Sequence, residues 1–243
     1  MWKTKLGRCI YVSASGYKVF QNPGYRWLTM GSTALQSVLN RWQPQKPILR
    51  YLPALSLMAR HKPENCCILG LGGGAIAHLL AFKTPEQQLT IIENSQEVIE
   101  LAKKFFWIDK IANLTIINQN AEAFVREDGP SFTHLIVDLY NASSFPAECH
   151  TDEFFLNCKR KIADGGFFAV NLANLMEQGP IFQLIKKYFK NTIVLPVKNT
   201  ANMVIIASDH SEPDVFISEL NKTQEIKKIM LVANWGYVGK FRG

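Results

Sequence analysis

No apolar run in this 243-residue sequence approaches the roughly 20 residues a membrane-spanning helix needs. The opening Met-Trp-Lys-Thr-Lys leads into mixed polar sequence, not a signal-peptide core. These absences predict a soluble, cytoplasmic chain with no membrane partner. Five cysteines (Cys9, Cys66, Cys67, Cys149, Cys158) form an odd set without a Cys-x-x-Cys pair, which predicts reduced thiols. His61, His78, His134, His150 and His210 lack metal-ligand spacing, so no metal is expected; His78 and His134, among apolar neighbours, read as structural. Charged residues are scarce at 19%, which argues against disorder. The formal charge of +7 is spread along the chain without a basic block, so no nucleic-acid partner is expected.

What is present is apolar and alternating. A 47% hydrophobic content supports one large core with a smaller appendage. The spacing predicts short strands at Cys9–Val12, Tyr17–Phe20 and Tyr25–Met30, with a turn at Asn22-Pro23-Gly24. A helix beginning near Pro53 and ending before Pro63 leads onward, dividing a small β-rich unit (1–60) from a main domain (61–243). From Cys66 strands and amphipathic helices alternate, the pattern of parallel βαβ units. Strands are expected near Cys66–Leu69, Leu89–Ile92, Leu114–Asn118, His134–Asp138, Gly166–Asn171, Thr192–Val197 and Asn202–Ala207. Helices are expected near Ala75–Ala81, Gln96–Phe106, Phe154–Lys161, Gly179–Phe189 and Glu212–Val232.

The sharpest local signal is Leu69-Gly70-Leu71-Gly72-Gly73-Gly74, between a strand and a helix. Gly70, Gly72 and Gly74 let the backbone turn tightly beside a ligand, and the helix start supplies free N–H donors. Glu93 closes the next strand about twenty residues later, where a carboxylate can accept both ribose hydroxyls; it could also simply cap the following helix. Ligands in open α/β sheets lie beyond the carboxyl ends of the strands, which singles out Asn120 and Asp138. An Asn carbonyl can accept from an adenine amine, and Asp138 can act as a base or anchor a cation. Tyr140, Asn141, Ser143 and Ser144 follow in a loop that reads as the wall of a second-substrate site.

Together these residues resemble the spermidine/spermine synthase family, a branch of the methyltransferase-like Rossmann group. The resemblance covers about Tyr17 to Ser208: Leu28-Thr-Met-Gly31, the glycine turn, Ile91-Ile-Glu93, Val98-Ile-Glu-Leu-Ala-Lys-Lys-Phe-Phe106, Val137-Asp-Leu-Tyr-Asn141, Thr151-Asp-Glu-Phe-Phe155 and Ala163-Asp-Gly-Gly-Phe-Phe-Ala-Val-Asn-Leu172. It implies an α/β, Rossmann-like, seven-stranded and mostly parallel sheet with a small N-terminal β domain, assembled as a homodimer or homotetramer. In that family the amine of a polyamine attacks the aminopropyl group of decarboxylated S-adenosylmethionine and releases methylthioadenosine. By position, Glu93 matches the ribose-binding acid, Asn120-Ala121 the adenine contact and Asp138 the proton acceptor.

Four departures accompany the match. Ala75 stands where the family carries Asp, Asn141 replaces the second acid of an Asp-x-x-Asp pair, Lys18 replaces Gln after Tyr17, and Leu52 replaces His after Tyr51. Each removes a group that would hold a cationic amine, and Lys18 would repel one if it faced the site. The leading expectation is a spermidine-synthase-like transferase acting on an amine or another small nucleophile. It would bind decarboxylated S-adenosylmethionine, S-adenosylmethionine or methylthioadenosine. A methyltransferase using the same cleft and a non-catalytic nucleoside-binding protein are the alternatives.

Overall fold

The computed structural model describes residues 4, 6–30, 37–141 and 144–242. Ser143 and Gly31, singled out above, lie outside the described residues. An antiparallel sheet comes first: β1 (Arg8–Val12), β2 (Tyr17–Gln21), β3 (Tyr25–Met30) and β4 (Ser37–Asn40), in sequential order. Helices α1 (Leu52–Leu55) and α2 (Leu57–His61) follow where one helix was expected, divided at Ser56, whose hydroxyl donates to the Leu52 carbonyl at 2.7 Å.

The main domain then runs β5 (Cys66–Leu69), α3 (Ala75–Lys83), β6 (Leu89–Glu93), α4 (Gln96–Phe106), β7 (Leu114–Asn118), α5 (Ala121–Arg126), β8 (Phe132–Val137), α6 (Asp152–Arg160) and β9 (Ile162–Leu172). It continues with α7 (Leu175–Tyr188), β10 (Asn191–Pro196), β11 (Met203–Ser208), α8 (Pro213–Lys222), β12 (Ile226–Val232) and β13 (Gly236–Phe241). The strands form one sheet in the order β12-β13-β10-β11-β9-β8-β5-β6-β7. The seven expected strands are β5 to β11; β11 is antiparallel to both neighbours and the other six run one way.

The sheet is wider than seven strands because the helix expected over Glu212–Val232 stops at Lys222. Thr223 caps it and Gln224 takes a positive φ of 56°, which breaks helical geometry. Ile226-Lys-Lys-Ile-Met-Leu-Val, rich in β-branched residues, then pairs with β13, and β13 lies parallel to β10.

Strand residues alternate between two apolar layers, as a period of two requires. Cys66 and Ile68 face the core shared with α1, α2, α3, α4 and α8, while Cys67 and Leu69 face that of α5, α6 and α7. Both cysteines are fully buried, and burial pushes each thiol up. The small sheet docks through Val19, Leu28 and Leu39 onto Leu101 and Phe106 of α4. Arg26 reinforces this joint: its guanidinium lies 4.7 Å over the Trp107 ring and donates to the Phe105 carbonyl. His78 and His134 are buried, each with Nε2 2.7 Å from a carbonyl, of Phe106 and Lys62 respectively. Desolvation lowers His134 to about 4. No helix among the described residues is long and apolar enough to cross a membrane.

Candidate functional site

The chain passes from β5 through β6 to β7 on one side, then returns to place β8 on the other flank of β5. That reversal opens a crevice at the carboxyl ends of β5 and β8, where the doubly wound architecture binds ligands. Gly70 follows β5 and Asp138 follows β8, and their backbones meet there. A Cβ on Gly70, whose φ is +100°, would stand 2.5 Å from the Asp138 carbonyl oxygen. Gly74, at φ +72°, opens α3, and its Cβ would strike the Ile108 side chain at 2.4 Å. Positive φ strains a side chain at both positions, and at Gly70 the unyielding Asp138 backbone also denies it space.

A cavity of about 830 Å³ occupies this crevice. Gly70, Gly72, Gly74 and Glu93 line it, joined by Asn120 and Ala121 at the start of α5. Asp138, Tyr140 and Asn141 line it too, whereas Ser144, expected in the same wall, does not. Glu93 reaches back to the glycine turn: Oε2 accepts from the Leu71 N–H at 3.1 Å and Oε1 from the Ser95 N–H at 2.9 Å. Burial raises its pKa, opposed by these backbone donors. Asn120 is the N-cap of α5, its Oδ1 accepting from the N–H groups of Glu122 (2.8 Å) and Ala123 (3.2 Å). Its carbonyl, expected to face an adenine amine, is committed to the helix, which leaves Nδ2 as the group for a ligand.

Asp138 sits at the centre. Its Oδ2 accepts from the Tyr51 hydroxyl at 3.0 Å and its Oδ1 from Asn171 Nδ2 at 3.0 Å; Asn171 Oδ1 in turn accepts from Asn202 Nδ2 at 2.9 Å. Burial pushes the Asp138 carboxyl up, the two hydrogen bonds opposing it less strongly. Tyr51 is held well above its ordinary value by burial and by the Asp138 charge, so it remains a hydroxyl donor. Tyr140 rises to about 12, through burial and the nearby Glu177. The loop after Tyr140 is tied by reciprocal backbone hydrogen bonds between Asn141 and Ser144. Among the described residues, no cluster of three His, Cys, Asp or Glu side chains could hold a metal ion.

Tyr51, Asn171 and Asn202 were not singled out as site residues. Asn171 had a signal, since it lies at the carboxyl end of β9 as Asp138 does after β8. Tyr51 and Asn202 belong to connections whose approach to the sheet no local pattern announces. Lys18 is exposed on β2 and is not part of the lining, whereas its neighbour Tyr17 is.

A glycine turn after β5, an acid closing β6 and a second acid just after β8 sit on a Rossmann-like α/β fold of the methyltransferase type. Within that class, residues 48–228 match the spermine/spermidine synthase domain, and the chain belongs to that family. A polyamine aminopropyltransferase of Chromobacterium violaceum is 24% identical over 195 residues, covering 78% of this chain and 75% of that protein. One of Vibrio vulnificus is 26% identical over 118 residues, covering 47% of this chain but only 40% of its own length. In fold, the chain is similar to a "probable spermidine synthase" from Corynebacterium glutamicum, with a TM-score of 0.76 at 18% identity over 98% of this chain and 92% of that one.

Proposed function

We propose that this chain is an aminopropyl-type transferase that binds decarboxylated S-adenosylmethionine or a close S-adenosyl relative and passes an alkyl group to an amine. The observation that carries the reading is Asp138: a half-buried carboxylate lining the cleft beside the glycine turn, oriented on one oxygen by Tyr51 and on the other by Asn171. A protonated amine has no lone pair with which to attack, and a carboxylate with a raised pKa is a competent acceptor for its proton. The nitrogen pair then forms the C–N bond, the C–S bond breaks, and its electrons return to the sulfonium sulfur, leaving methylthioadenosine. Glu93 holds the ribose hydroxyls, while the Asn120 amide and Ala121 border the base. A side chain at Gly70 would press on the Asp138 backbone and displace the base.

Calorimetry with decarboxylated S-adenosylmethionine, S-adenosylmethionine and methylthioadenosine, with and without an amine, tests the reading. Preference for the decarboxylated donor, tightened by amine, is the expected result. Preference for S-adenosylmethionine without an amine effect would make the protein a methyltransferase, a reading that Ala75 at the start of α3 favours because no acid there awaits an ammonium. Failure of all three to bind would leave a non-catalytic fold. Glu93→Ala is expected to weaken methylthioadenosine binding by roughly ten- to a hundredfold, the worth of charge-assisted hydrogen bonds.

A further inference from the structure

We propose that the acceptor is a short amine that also carries a carboxylate, with its nitrogen at Asp138 and its anionic end at Arg50. The proposal rests on the transferase reading above and concerns the other half of the same cleft.

The acids of the lining are Glu93, Asp138 and Glu148. Glu93 is bound to the glycine turn. Glu148, in the turn Ala147–Cys149, packs beside α5, and its charge and that of Glu122 act on Cys149; this places it at the Asn120 end. On the side of Asp138 that Tyr51, Asn171 and Asn202 occupy, the lining adds Asn199 and Thr200, and none of these is anionic. The one cationic side chain in the described lining, Arg50, stands there. Glu177, whose charge reaches Tyr140, accepts from the Phe145 N–H at 3.1 Å and lies outside the lining. Residues 31–36 and 142–143, outside the described residues, contain no acid in their sequence.

A diamine would therefore bring its second ammonium to an end without a carboxylate to offset desolvation, and against a guanidinium. A carboxylate there meets the fork of donors that Arg presents. Arg50 is free to serve: its Nη1 makes one long contact, 3.4 Å to the Lys198 carbonyl, and no described carboxylate lies within ion-pair distance of it. That contact also holds it against the 198–202 loop, which the Asn202–Asn171–Asp138 chain of hydrogen bonds links to the base. Arg50 directly precedes Tyr51, whose hydroxyl binds Asp138, so the cation and the base line one cavity from neighbouring points of the chain. The chemistry is unchanged: the amine loses its proton to Asp138, C–N forms, C–S breaks to the thioether, and the carboxylate takes no part.

Matched acceptors of equal chain length, putrescine against 4-aminobutyrate and 1,3-diaminopropane against β-alanine, isolate the second charge. Methylthioadenosine release from decarboxylated S-adenosylmethionine is measured for the wild-type protein, Arg50→Ala and Arg50→Glu. Acceptor binding to the methylthioadenosine-saturated protein is measured alongside. The expected result is at least tenfold higher kcat/KM for the amino acids than for their diamine partners. Arg50→Ala should raise their KM about tenfold with kcat within threefold and methylthioadenosine affinity unchanged, and Arg50→Glu should shift preference toward the diamines. Turnover on diamines alone, or an amino-acid KM indifferent to Arg50, overturns the acceptor assignment and leaves the transferase reading standing. Loss of S-adenosylmethionine affinity in Arg50→Ala, with decarboxylated donor affinity intact, overturns it in favour of a guanidinium that grips the donor's carboxylate. Methylthioadenosine binding without turnover or binding of any acceptor overturns both readings.

Discussion

A carboxylate sunk at the floor of a cleft carries a desolvation cost, and Asp138 carries it in full view of the proposed reaction. Because burial raises its pKa above that of an exposed aspartate, the folded state binds its proton more tightly than the unfolded state does. The stability it contributes is present at low pH and lost as pH rises through its folded pKa. Asp138→Asn is therefore expected to melt no lower than wild type at neutral pH, and measurably higher if Tyr51 and Asn171 keep their contacts. Turnover should fall roughly a hundred- to ten-thousandfold while methylthioadenosine affinity holds. Calorimetric melting beside a single-turnover assay checks both, and wild-type activity in this variant would remove the base. On the acid side, kcat/KM should decline below a pKa higher than the usual carboxylate range. Asp138, Glu93 and the glycines were legible because each ends a strand or opens a helix, where the sequence pattern itself marks the place. Tyr51 was not, since its contact spans 87 residues and depends on how α1 meets the sheet.

At the level of elements, α5 joins stability to ligand binding. It is six residues long, too short for a helical period to reveal it, and it depends on the Asn120 cap. Asn120→Ala should cost about 1 kcal/mol by loss of that cap, and Asn120→Asp should keep the cap while losing the Nδ2 donor. Urea unfolding read beside nucleoside binding separates the two roles: Ala affects both, Asp only binding. The parallel strands were readable because strands buried on both faces are continuous apolar runs, as in Cys66-Cys67-Ile68-Leu69. β12 misled for the opposite reason. Ile226, Ile229 and Met230 fall at the i, i+3, i+4 spacing of a helix face, and no glycine or proline separates them from α8.

For the whole molecule, β12 and β13 close the flank of the sheet beyond β10. Trp235, in the turn between them, packs on Phe182 of α7 at 4.9 Å between ring centroids, and Glu225 pairs with Arg60 of α2 at 2.7 Å. Ending the chain at Thr223 would bare β10 as an apolar edge. The shortened protein should melt roughly 5–10 °C lower and scatter light on heating, which differential scanning fluorimetry with a scattering channel would record. An unchanged melting point would mean the hairpin adds nothing to the sheet. The joint between the two sheets carries a consequence in time. Arg26 emerges from the ribosome 79 residues ahead of the Phe105 carbonyl it grips. At roughly 5–20 residues per second, the first strands wait about 4–16 seconds for the surface that completes them. The small sheet is thus born as a guest without a host, and its lasting structure dates from the arrival of α4.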